Sequence, residues 1–100
     1  MRKIYATARE QKNAARNRRR QRMVAYSAGI KSQPCMDCGG EFPAICMDFD
    51  HRPGTVKAFD VSQTSRIPSW QALKDEIAKC DVVCANCHRI RTKSRIESGY

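Results

Sequence analysis

The spacing of apolar positions divides the chain into a polar helical stretch and a patterned remainder. Residues 2–28 contain neither proline nor glycine, and alanine, arginine, glutamine and lysine dominate them, which predicts one long helix with Gly29 as its C-cap. Its apolar positions (Ile4, Tyr5, Ala8, Ala15, Met23, Tyr26, Ile30) form only a broken stripe. Such a helix buries little, and is expected to protrude or to stay partly disordered until a polyanion neutralises it.

Beyond a short Ser32-Gln33-Pro34 linker the period changes. Ile45, Met47 and Phe49 alternate with Cys46, Asp48 and Asp50, the signature of a half-buried strand. Arg52-Pro53-Gly54 turns the chain, and Val56, Ala58-Phe59 and Val61 predict a second strand over residues 55–61 that closes a hairpin. After a polar loop at residues 62–66, Trp70, Leu73, Ile77 and Cys80 recur at helical spacing, with Ser69 as N-cap. Val82-Val83 lead into Cys84-Ala85-Asn86-Cys87-His88, and residues 89–96 make a last short helix closed by Gly99. Helices and a hairpin in one short chain define an α+β domain.

Charge sharpens the first stretch. Residues 1–34 hold ten Lys and Arg against Glu10 alone, whereas residues 35–100 hold nine of each sign, so the whole net charge of +9 lies in the N-terminal third. The natural division is a basic helical arm over residues 1–31 and a domain over residues 32–100. An arm of this kind is drawn to polyanions by counterion release, and Arg16, Arg18, Arg19, Arg20 and Arg22 are its candidate phosphate contacts. The bland alternative is a solvated charged face without a partner. Membrane binding ranks lowest, because few large apolar residues oppose the arginines.

A chain of 100 residues needs a staple, and the six cysteines supply the candidates. No apolar run approaches the roughly 18 residues of a membrane span, and Met1-Arg2-Lys3 is not followed by the apolar segment of a signal peptide. A reducing cytosol is therefore expected, where paired cysteines favour zinc over disulfides. Cys35-x-x-Cys38 and Cys84-x-x-Cys87 fit one tetrahedral thiolate zinc site that joins the start of the domain to its end. A redox dithiol is the alternative, but its βαβ setting is missing. Cys46 and Cys80, on apolar-patterned elements, are expected in the core.

Only two histidines are present, one directly after Asp50 and one directly after Cys87. Successive strand residues point to opposite sides, so Asp50 and His51 suit different jobs: one can bind a cation while the other faces a water. Otherwise His51 is a turn residue and His88 a spare ligand or a surface group.

The Cys-Gly-Gly of the first knuckle, the run Met47-Asp48-Phe49-Asp50-His51-Arg52-Pro53-Gly54, and the run from Ala78 to Thr92 together resemble the HNH endonucleases with a ββα-metal core. The resemblance covers residues 35–93. It implies a hairpin and helix around one catalytic divalent cation, a Cys₄ structural zinc, DNA as the partner, and the cytoplasm of a bacterium or a phage-infected cell, with a phage or bacterial protein partner and a monomer or weak dimer as the expected context. Carried over by position, His51 is the general base, and Asp50 and His88 are ligands of the catalytic cation. Mg²⁺ or Mn²⁺ suits so open a ligand set, while imidazole also tolerates Ni²⁺, Co²⁺ or Zn²⁺. Arg52, Arg89 and Arg91 lie close enough in sequence to clamp phosphates.

The chain departs from the family pattern once. The middle Asn falls at Lys79, which has no acceptor for an imidazole N–H, so Asn86 or a backbone carbonyl is expected to orient His51. Two other functions fit the residues: a zinc-containing DNA- or RNA-binding module without catalysis, and an adaptor whose arm docks on an acidic protein.

Overall fold

A computed structural model describes residues 7–99. The predicted first turn of the basic helix, from Arg2, lies outside the described residues, as does Tyr100. The first helix, α1 (Ala8–Lys31), opens on a capping box in which Thr7 Oγ1 accepts from the Glu10 amide and the Glu10 carboxylate accepts from the Thr7 amide. Gly29 lies inside this helix, and Ser32 caps it instead, its amide donating to the Gly29 carbonyl. The end falls there because the chain must turn at Pro34 into the first knuckle.

A two-stranded antiparallel sheet follows, but it is not the expected hairpin. Strand β1 (Met47–His51) pairs with β2 (Cys80–Cys84), in a register that sets Met47 against Cys84 and His51 against Cys80. Residues 55–61 form no strand, and Val56, part of the alternation that predicted one, is 80% exposed. The Val82-Val83 pair wins the edge of β1 because both of its side chains are buried, one on each face of the sheet. Between the strands lies α2 (Trp70–Ala78), capped by Ser69, whose hydroxyl accepts from the Ala72 amide. It stops two residues short of the predicted end, so that Cys80 enters β2. The last helix, α3 (Ala85–Glu97), starts directly from β2 and ends before Gly99, whose φ of +77° suits glycine.

Two small cores meet at Phe49. One gathers Cys35, Met47, Val82, Val83 and Cys84 beneath the cysteine knuckles. The other gathers Met23, Val61, Ile67 and Leu73. Met23 is fully buried, Tyr26 meets Trp70 edge to face at 5.7 Å, and the Arg19 guanidinium donates to the Ile67 carbonyl at 2.6 Å. The C-terminal half of α1 is thus part of the domain, against the expectation of an arm that buries little. One fully buried methionine at the right phase anchors a helix that a count of apolar residues undervalues. Its N-terminal half projects: the radius of gyration is 17.4 Å, against about 13 Å for a compact domain of this length. No helix among the described residues is long and apolar enough to cross a membrane.

Candidate functional site

The four knuckle cysteines converge. Ligand atoms of Cys35, Cys38, Cys84 and Cys87 all lie within 4.8 Å of one another, and Cys38 Sγ stands 4.0 Å from Cys84 Sγ. Zinc–thiolate bonds of about 2.3 Å in a tetrahedron put sulfurs about 3.8 Å apart, so the cluster could hold a metal such as zinc. Backbone amides already face the sulfurs: Cys84 N–H donates to Cys35 Sγ at 3.2 Å and Cys87 N–H to Cys84 Sγ at 3.4 Å. Burial alone would raise the Cys35 thiol, but the Cys38, Cys84 and Asp37 amides outweigh it and bring it down to about 6. Cys87 is pushed up to about 12, chiefly by its hydrogen bond with Cys84, as befits four thiols that cannot all ionise without a cation. The two unpaired cysteines part company. Cys80 is buried and pushed up to about 11 by that burial, whereas Cys46 is exposed on a 3₁₀ turn (Ala44–Cys46), outside the core expected for it.

The first turn of α3 springs from this cluster, with Cys84 as its N-cap. His88, Arg91 and Arg95 therefore share one helix face by their spacing, and that face lies on the side of β1 that carries Asp48 and Asp50. His88 Nδ1 is 3.0 Å from Asp48 Oδ2, and His88 Nε2 is 3.5 Å from Asp50 Oδ1. Asp50 is buried. Arg95 grips it with two guanidinium nitrogens at 2.8 and 2.6 Å, and Arg91 adds a third hydrogen bond at 2.9 Å. Burial opposes its ionisation, but the two arginines prevail and hold its carboxyl below the usual range.

His51 points the other way along the strand, as alternation requires, and meets α2. Its Nε2 lies 2.8 Å from Glu76 Oε2, and Glu76 is 2% exposed. The same carboxylate accepts from Lys79 Nζ at 2.8 Å and from the Ala58 amide at 3.0 Å. Burial alone would raise Glu76; Lys79, His51 and the Ala58 amide overcome it and hold the carboxyl down at about 2. The orienting partner of His51 is therefore Glu76, not Asn86, which sits exposed on the first turn of α3. Lys79 contributes by neutralising that partner.

Asp48, Phe49, Asp50, His51 and His88 all border one open cavity of about 720 Å³, walled by the C-terminal half of α1 and by residues of the 57–64 loop. The expected triad of Asp50, His51 and His88 thus shares a space, although Asp50 and His51 are held from opposite sides. Three partners escaped the sequence reading. Asp48 carried a signal, since it lies two residues before Asp50 and hence on the same strand face. Glu76 carried a fainter one, an acid between Leu73 and Ile77 on the apolar side of α2. Arg95 follows His88 by seven residues.

The expected phosphate contacts divide sharply. Arg91 serves structure: it grips Asp37 at 2.6 and 2.7 Å and reaches Asp50 and Asp81 at 2.9 Å, tying the first knuckle to both strands. Arg52 donates to the Ala78 and Cys80 carbonyls at the junction of α2 and β2. Arg19 is held by Ile67. Arg16, Arg18, Arg20, Arg22 and Arg89 remain exposed.

Comparison with family models, characterised proteins and solved structures gives no match to this chain. Among the described residues, fold and site define a small α+β domain of three α-helices and one two-stranded sheet, with a Cys₄ cluster that could hold a metal such as zinc.

Proposed function

We propose that the protein is a metal-dependent endonuclease of the HNH type that hydrolyses DNA phosphodiester bonds. The observation that carries this reading is that β1 and α3, the latter starting directly from β2, bring Asp50, His51 and His88 onto one cavity in the same domain as the Cys₄ cluster, although α2 separates the two strands. In this reading zinc held by the four cysteines fixes where α3 begins and so where His88 points.

His51 is the general base. Glu76 is ionised at neutral pH, so the Nε2 facing it carries the proton it donates, which leaves Nδ1 as the basic nitrogen. Nδ1 takes a proton from water, whose oxygen attacks phosphorus as the bond to the 3′ oxygen breaks. Glu76 then stabilises the imidazolium. Asp50 and His88, whose side chains approach to 3.5 Å, are the residues that would hold the catalytic cation. Such a cation, Mg²⁺ or Mn²⁺ by the openness of the ligand set, would supply counter-charge for the phosphoryl oxygens and the leaving group. Asp48 orients His88 through Nδ1, the usual service of a carboxylate behind a metal-bound imidazole.

One observation favours a binding module without catalysis: both oxygens of Asp50 are already paired with arginines. Supercoiled plasmid incubated with Mg²⁺ or Mn²⁺ decides between the two. The nuclease nicks it, and His51→Ala loses about 10²- to 10⁴-fold in rate. Nicking that persists in His51→Ala removes His51 as the base; DNA binding with no nicking under either metal leaves the binding module.

A further inference from the structure

The exposed arginines of α1 do not all face the same way, and the fold fixes which way each faces. Met23, Tyr26 and Arg19 dock one side of the helix on the core, while Val24, Ser27, Ala28 and Lys31 border the cavity. At 100° per residue, Arg9, Arg16 and Arg20 fall within about 70° of the middle of that cavity side, whereas Arg18 and Arg22 fall about 130° and 170° away. The order Arg9, Arg16, Arg20, Ser27, Lys31 advances by seven, four, seven and four residues, a straight stripe along the helix. Lys31 ends it on the cavity wall, its Nζ 5.3 Å from the centre of the Phe49 ring.

The stripe is also free to bind. Arg9, Arg16 and Arg20 are exposed, and none of them has a carboxylate partner among the described residues. The single acid of α1, Glu10, is occupied at the cap.

We infer that Arg9, Arg16 and Arg20 form a rail that seats the phosphate backbone of a DNA duplex and leads it into the cavity bordered by Asp50, His51 and His88. This deepens the nuclease reading by naming where the substrate runs. From Arg9 to Ser27 the helix rises about 27 Å, the axial length of about eight base pairs. The rail therefore engages duplex on one side of the bond to be cut and reads no sequence, since it touches only phosphates.

Two double variants with equal loss of charge test it: Arg16→Ala with Arg20→Ala, and Arg18→Ala with Arg22→Ala. Alanine keeps the helix, so folding does not confound the comparison. The readout is the slope of log affinity against log salt for a labelled duplex of 20 base pairs, measured on zinc-loaded protein with neither chelator nor added Mg²⁺ or Mn²⁺. The Arg16/Arg20 variant should lose about 2 from the slope, near 0.9 for each phosphate contact, and the Arg18/Arg22 variant far less. Equal losses in both, no loss in either, or no duplex binding by the wild type would overturn the rail. Plasmid nicking by the wild type, run alongside, keeps the two readings apart: the rail can fail while nicking persists, and the slope difference can stand where nicking is absent.

Discussion

His51 Nε2 sits 2.8 Å from the Oε2 of Glu76, a carboxylate that is 2% exposed and belongs to a different element. A buried acid is costly unless it is paired. Here both oxygens are paired, Oε2 with His51 and the Ala58 amide and Oε1 with Lys79. The imidazole is thereby fixed in tautomer and direction by a group the sequence pattern conceals.

Glu76→Gln is expected to slow plasmid nicking at least tenfold while duplex binding is kept, because the neutral amide no longer enforces the Nε2 proton or stabilises the imidazolium. The same variant has an acid signature. Glu76 has its carboxyl lowered from 4.5 to about 2, so its contribution to stability is fully present above pH 4.5 and is lost as the pH falls towards 2. Denaturant titrations between pH 5 and pH 2 should show the wild type losing stability through that window and the variant a flatter profile. Equal slopes would mean that Glu76 is not ionised in the folded state.

The role of Asp48 rests on its 3.0 Å contact with His88 Nδ1. Asp48→Asn should weaken Mn²⁺ binding by about 10- to 100-fold, read by calorimetry on zinc-loaded protein. Unchanged affinity would place Asp48 outside the site.

Arg91 binds three carboxylates from three parts of the chain, Asp37, Asp50 and Asp81. Arg91→Ala should lower stability by roughly 2–4 kcal/mol, and Arg91→Lys should fail to restore it because an ammonium cannot make the fork. Thermal unfolding gives the loss. A variant of full stability with a shallower salt slope for DNA would make Arg91 a phosphate contact after all.

Metal content separates the cysteines. The wild type should carry one zinc per chain by elemental analysis, Cys84→Ser should lose it along with much of its thermal stability, and Cys46→Ser should keep it. Loss of zinc in Cys46→Ser would break the four-ligand assignment.

The docking of α1 is a packing statement. Met23→Ala empties a fully buried position and should cost about 2–5 kcal/mol. A cost near zero in denaturant unfolding would return the helix to the status of a free arm.

What the sequence determined by itself was local or close to local. The helix from residue 8 onward, the Ser69 cap, the strand ending in Asp50-His51 and the two knuckles follow from propensity, capping chemistry and ligand spacing, which depend on near neighbours. The pairing of four cysteines across 45 intervening residues was legible too, because zinc demands all four at once. The partner of β1 was decided only in three dimensions. Residues 55–61 and 80–84 both read as β, and burial of Val82-Val83 on both faces settled the choice. Met23 shows the same limit: one methionine in a charged helix acquires its weight only when Leu73, Ile67 and Val61 close around it. At the proposed site, Asp50, His51 and His88 were visible in the sequence, yet the side chains that hold them were not. Asp48, Glu76 and Arg95 meet them at 2.6–3.0 Å across elements far apart in the chain, and no spacing rule within one element encodes such a contact.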